Sequence, residues 1–255
     1  MVKKIVMLWS HFCNHYKTNR KKRKAFYLRL SCAIFLAVCL LALTILVAAG
    51  ERAARVALRR ELYFVCSQTV YREDLALSVS DVVSSGGGAG YLLHRGKGYA
   101  VVYSVYRAKS SAEAVCADLV DGGQNAEILP FVMSGFYLPA SDASAAAEIA
   151  SYFRVYYDCI VLLSKTADEL DAGRINREGA FCSMESAKDA LTGLQTILEG
   201  EKTLSKARYD AMNESVESAC GLLAVSDGLF ASSDIRAIYA CMSDLYMQTA
   251  QKLQK

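Results

Sequence analysis

Three hydrophobic patterns follow one another along the chain. From Cys32 to Ala49 the run CAIFLAVCLLALTILVAA holds no charged residue and no proline, and Ser31 and Gly50 extend it. About 20 helical residues cross a hydrocarbon core about 30 Å thick, so residues 31–50 are expected to form a transmembrane helix. A buried core helix would show a polar stripe, and this run shows none. The second pattern, to about Met133, alternates short β-type runs with helical spacings. The third, after Pro139, is helical throughout.

The middle region predicts strand, helix, strand, twice over. Leu62 to Tyr71 is rich in β-branched and aromatic residues and reads as a strand. Leu75, Val79, Val82 and Val83 stand at helical spacing before Gly86-Gly87-Gly88. Gly90 to His94 is a short strand, Arg95 to Gly98 a turn, and Tyr99 to Tyr106 another strand. Ser110 or Ser111 can cap a helix with Ala112, Val115, Cys116 and Leu119 inward. Gly122-Gly123 ends it, and Asn125 to Met133 closes the unit. Val70-Tyr71-Arg72 recurs as Val105-Tyr106-Arg107, and Val79, Val83 and Gly86-Gly87 recur as Val115, Leu119 and Gly122-Gly123. Two such units make βαββαβ, a four-stranded antiparallel sheet with both helices on one face.

Tyr99-Ala-Val-Val-Tyr-Ser-Val-Tyr106, followed by Ala112-Glu113, Leu119 and Gly123, resembles the SPOR (sporulation-related repeat) domain over residues 62–133. The resemblance implies that an open sheet face holds septal peptidoglycan, preferentially glycan strands stripped of stem peptides. It also implies that Val101 and Tyr103 face the core. By strand alternation Val102, Ser104 and Tyr106 then stand on the open face, and the repeat adds Ser67, Thr69 and Tyr71. A β-bulge near Ser104 would turn Tyr106 into the core instead. The chain departs from the family at Val102, where glutamine is common, and at Ser104, where glycine is.

Residues 134–141 read as a linker and 142–255 as an antiparallel helical bundle. Ile149, Phe153, Tyr156, Ile160, Leu163, Ala167 and Leu170 step by threes and fours, a seam like that of a coiled coil. Further helices carry Phe181, Met184, Leu191, Leu194 and Leu198, then Leu204, Ala211, Met212, Val216 and Leu223, then Ile235, Ile238, Met242, Leu245 and Thr249. The expected fold class is therefore α+β. A basic segment (1–30) and a transmembrane helix (31–50) lead through a juxtamembrane helix or linker (51–61) to the SPOR-like, ferredoxin-like domain (62–133) and the bundle.

Charge sets the expected topology. Nine of the 29 bases precede residue 51, where no acid occurs; the other 20 face all 26 acids, a net of −6. Cationic flanks stay cytoplasmic, which predicts a single-pass cell-membrane protein with its N-terminus inside and about 200 residues outside. A cleaved signal peptide is the rival, since Val47-Ala48-Ala49 resembles a small-residue cleavage site. The cluster Lys17 to Lys24 suits anionic lipid, which explains it without nucleic acid. Ile5, Leu8, Trp9 and Phe12 suggest a short interfacial helix.

Candidate chemistry is sparse. His11, Cys13 and His15 lack a fourth ligand, and none of the nine cysteines forms a CxxC, so no metal site is indicated. Wide spacing within apolar patterns favours free, buried thiols over disulfides. His94 has no evident catalytic partner, and the glycine run from Ser84 to Gly90 lacks a phosphate-binding motif. The carboxylates Asp168, Glu169 and Asp171, and Glu214 with Glu217, read as helical surface charge. Neither an enzyme nor a cofactor is expected. The first functional expectation is a membrane-anchored envelope protein binding peptidoglycan glycan strands at division or sporulation sites. The second is a non-catalytic scaffold whose bundle docks a partner protein or self-associates.

Overall fold

The structure is a computed structural model that describes residues 54–56, 60–133, 135–138, 145–200, 204–224 and 231–254. The basic segment, the interfacial helix and the apolar run Cys32–Ala49 lie outside the described residues. Among those described, no helix is long and apolar enough to cross a membrane. The structure therefore gives no support to the expected transmembrane helix or to the single-pass, cell-membrane localisation that rests on it.

Residues 53–255 form one compact unit. Its strands are β1 (Ala54–Val56), β2 (Arg60–Ser67), β3 (Tyr91–Arg95), β4 (Gly98–Tyr106), β5 (Ala126–Met133) and β6 (Phe136–Leu138). Its helices are α1 (Glu73–Ser85), α2 (Lys109–Asp121), α3 (Ala145–Asp171), α4 (Arg177–Gly200), α5 (Lys206–Ala224) and α6 (Ser232–Leu253). The four longer strands make an antiparallel sheet in the order β3-β4-β2-β5. β1 pairs with β6, Arg55 opposite Tyr137. Strands therefore stand in the segments expected as a juxtamembrane helix and a linker.

The fold-class expectation fails in how the parts combine. A ferredoxin-like domain followed by a separate bundle would leave one sheet face open, and the described chain is mostly helical with that face closed. The central strand β2 shows why. Leu62 to Ser67 are all buried, which requires cover on both faces of the sheet. Leu62, Phe64 and Cys66 enter a large core together with Ala100, Val102 and Val105 of β4 and the bundle residues Tyr152, Phe153, Tyr156 and Tyr246. Tyr63 and Val65 enter a small core with Ala112 of α2, ringed by Tyr103, Tyr106, Cys116, Leu119 and Ile128.

Helices α3 to α6 form a closed ring of neighbours, α3 touching α4 and α6, and α5 touching α4 and α6. The α3 seam buries Ile149, Phe153, Tyr156, Ile160, Leu163 and Ala167 as its spacing requires, with Tyr152 beside it. On α4, Phe181 departs from expectation: it is exposed, and Ala180 is buried in its place. Helix α6 carries a second buried stripe beyond its seam, including Tyr239, Ala240, Ser243 and Tyr246, because it also touches β3, β4 and β5.

Helix α1 starts with Glu73 and Asp74, whose charges suit the positive end of the helix dipole. It stops at Gly86, and Gly87 takes a φ of +89° that favours glycine. Gly88 follows so close to the Val83 side chain that a Cβ there would clash with it. The six described cysteines are free; Cys66 and Cys159 are buried, whereas Cys182 is exposed. Burial pushes the Cys66 thiol far up from its ordinary value, with the Glu127 charge adding to the rise.

Candidate functional site

The residues expected on one open face do not meet there. Between Val65 and Cys66 the β2–β4 register shifts, with Val65 opposite Ser104 but Cys66 opposite Val102. Tyr103 is thus the extra residue of a β-bulge, which switches the parity of the strand. Val102 is fully buried in the large core. Tyr106 packs on the small core. Ser104 is only 6% exposed, and its hydroxyl lies 2.6 Å from the Tyr239 hydroxyl of α6. Ser67 is buried too: its Oγ accepts the Val101 N–H at 3.0 Å and donates to the Gln68 carbonyl. It thereby satisfies a backbone donor at the end of the β2–β4 ladder. Thr69 is half-buried and lies past β2. Tyr71, just before α1, is 76% exposed. A glycan platform of these six residues is therefore corrected: α6 and the small core cover what alternation had left open. Nothing in the structure points to a SPOR domain, to sporulation or cell division, or to peptidoglycan binding.

What the fold builds instead is a cleft between α1 and α2. Sheet pairing of β3 with β4 runs from Arg95 opposite Gly98 to Tyr91 opposite Val102. Beyond it the Gly86–Gly88 turn approaches β4, and the Ala89 N–H donates to the Tyr103 carbonyl at 2.8 Å. The cleft beside this turn encloses about 190 Å³. Val82 and Val83 of α1, Val115 and Leu119 of α2, and Tyr103, Ser104 and Tyr106 of β4 line it, with Gln124 and Arg236.

Arg236 closes one side and ties three elements together. Its Nη1 donates to the Gly87 carbonyl at 2.8 Å. Its Nη2 pairs with Asp168 at 3.3 Å and with Asp171, both at the end of α3. Burial works against this guanidinium charge, but the Asp171 bond and the carboxylates more than offset it, so its proton is held more tightly than usual. With two carboxylates against one guanidinium, the cleft is not an anion site. A second bridge between α6 and the sheet, beside that of Tyr239 to Ser104, runs from the Tyr91 hydroxyl to Asp244 Oδ2, 2.8 Å, with Gln248 donating to the same oxygen.

The hydroxyl and thiol groups here are protonated over the ordinary range. Burial raises Tyr239 from 10.0 to about 12, the Ser104 bond and the Arg236 charge acting the other way. Burial likewise takes Tyr152 from 10.0 and Cys159 from 9.0 up to about 12. These acids ionise in the unfolded chain before they do in the folded one, so folding stability is full below about pH 9 and falls as pH rises toward 12. Urea unfolding at stepped pH should show a flat plateau up to about pH 9 and then a steady decline; stability unchanged at pH 11 would contradict these environments.

Other candidate residues stay apart. His94 is exposed and lies against the Tyr99 ring, centroids 4.7 Å apart. Among the described residues no group of His, Cys, Asp and Glu could hold a metal ion. Sequence reasoning passed over Tyr239 and Asp244, which join α6 to the sheet, and Arg236, which joins it to the Gly87 turn and α3. The available signal was the second stripe on α6, where Tyr239, Ala240 and Tyr246 leave too few polar positions for a helix with one wet face. No family model, no curated protein and no solved structure matches the chain, so the reading of this cleft stands on its geometry alone.

Proposed function

We propose that the chain is a non-catalytic interaction protein whose α1/α2 side docks another protein. One observation carries the reading. Tyr71, Leu75, Leu77, Val82 and Val120 are five of the eight exposed large apolar side chains among the described residues, and all lie on or just before α1 and α2. The other three, Val132, Phe181 and Ile197, are dispersed over β5 and α4. Of the five, Val82 borders the cleft and Leu75, seven positions earlier, shares its side of α1. Exposed apolar side chains in a row beside a cleft mark an interaction surface, whereas isolated ones are ordinary. The expectation of docking through the helical bundle thus moves to a new place, because α6 spends much of its surface on the sheet.

The test is a photo-crosslinking amino acid placed at Val82, with Ile197 as the control position, in cells that make the protein. A heteromeric adduct formed from position 82 and not from 197 supports docking at α1/α2. Equal adducts from both positions, none from 82, or only a dimer of this chain would overturn it.

A further inference from the structure

Resting on that reading, we infer that the docked partner is a basic amphipathic helix that inserts one aromatic side chain between α1 and α2. The cleft supplies the first reason. Its volume of about 190 Å³ lies below the roughly 300–1,000 Å³ of cavities that enclose a whole small-molecule ligand. It suits one large side chain. Its lining combines Val82, Val115, Leu119, Tyr103 and Tyr106 with the polar Ser104, Gln124 and Arg236. A ring there gains contact with two further rings, and buried aromatic anchors dominate interface energies.

The flanking surface supplies the second reason. Leu75, Val79 and Val82 repeat at i, i+4 and i+7 along α1. Leu75 and Val82 are exposed, Val79 is half-buried, and Val82 borders the cleft. An apolar ridge beside a groove between two helices is what a third helix packs against.

Charge names the partner's chemistry. The two helices expose six acids, Glu73, Asp74, Asp81, Glu113, Asp118 and Asp121, against the single base Lys109. Lys109 is taken by Glu113, and Asp74 by Arg72. Glu73, Asp81, Asp118 and Asp121 have no ion-pair partner among the described residues. Arg236 is occupied by Asp168 and Asp171 and does not reverse this field. A partner bearing lysine or arginine beside its apolar stripe is steered to this side, and an acidic one is repelled.

The probe is a dye-labelled leucine–lysine peptide of about 18 residues, about five helical turns, with one tryptophan in its apolar stripe. Binding to the full chain is read by anisotropy at low and moderate salt. The tryptophan peptide should bind at least about ten-fold more tightly than its alanine counterpart. The Val115→Trp variant, which fills the cleft, should erase that difference. Asp118→Lys with Asp121→Lys, both on the exposed side of α2, should weaken binding about ten-fold and flatten its salt dependence. Melting curves separate lost binding from lost folding, and the α2 surface variant remains decisive if Val115→Trp does not fold. Equal binding of a leucine–glutamate peptide, equal binding of the alanine peptide, or parent-like binding by the variants overturns the inference. If position 82 still crosslinks a protein in cells after such a result, only the partner chemistry has failed. If it does not, the docking surface has failed as well.

Discussion

Replacing Phe64 by alanine should lower stability by about 3–5 kcal/mol, and the protein should still melt in one step. Phe64 is 1% exposed on the central strand, in the core that Val102 and Val105 share with Tyr152, Phe153 and Tyr246 of the bundle. Removing the ring deletes contacts to both layers at once and leaves a space that neither can fill alone. Far-ultraviolet circular dichroism reports mainly the helices, and near-ultraviolet dichroism the packed tyrosines. Coincident transitions by both probes, shifted together in the variant, are the expected result. A bundle that keeps its parental melting temperature while the sheet signal is lost would show that sheet and bundle are independent.

Val102→Asp should be the more damaging change, enough to unfold the protein at neutral pH. Strand alternation alone puts Val102 on an open face, where an aspartate would cost little. In the structure the residue is fully buried among Cys66, Ala100 and the bundle. The buried residues of that core are aliphatic, aromatic or sulfur-containing side chains, so the charged form carries a desolvation penalty of several kcal/mol. The group would be driven to stay protonated. Whatever fold survives should therefore be more stable at pH 4 than at pH 7. Val132→Asp gives the comparison: Val132 is 54% exposed on β5, and there the change should stay within about 0.5 kcal/mol. If both variants express, melt and titrate like the parent, the bundle does not cover this face.

The cleft is partly legible in the sequence. The 35- to 36-residue echo that joins Val79 and Val83 to Val115 and Leu119 marks positions where α1 and α2 meet the same sheet. Three of those four residues, together with Val82, line the cleft between the two helices. Its closure by Arg236 is not legible there. The Gly87 carbonyl is 149 positions away in the chain, and the two aspartates lie on a third helix. No local periodicity carries a contact of that range.

Hydrophobic spacing by itself determined the helical seams. Residues at i, i+3 and i+4 share one side of a helix whatever surrounds it, so Ile149, Phe153, Tyr156 and Ile160 had to be buried together. It also determined that α1 and α2 would end where they do, since Gly86-Gly87 and Gly122-Gly123 supply the backbone freedom for the turn, Gly87 and Gly123 both at positive φ. What only the tertiary structure decided is which face of the sheet is wet. A two-residue period tells that side chains alternate, but not whether another layer arrives to cover the second side. It also assumes an unbroken strand, and the single extra residue at Tyr103 shifts everything after it by one. Ser104 and Tyr106 thereby left the expected face for the cleft, and Val102 was sealed under α6 and its neighbours. A bulge is set by the balance of packing on both sides of a strand, which no stretch of ten residues contains.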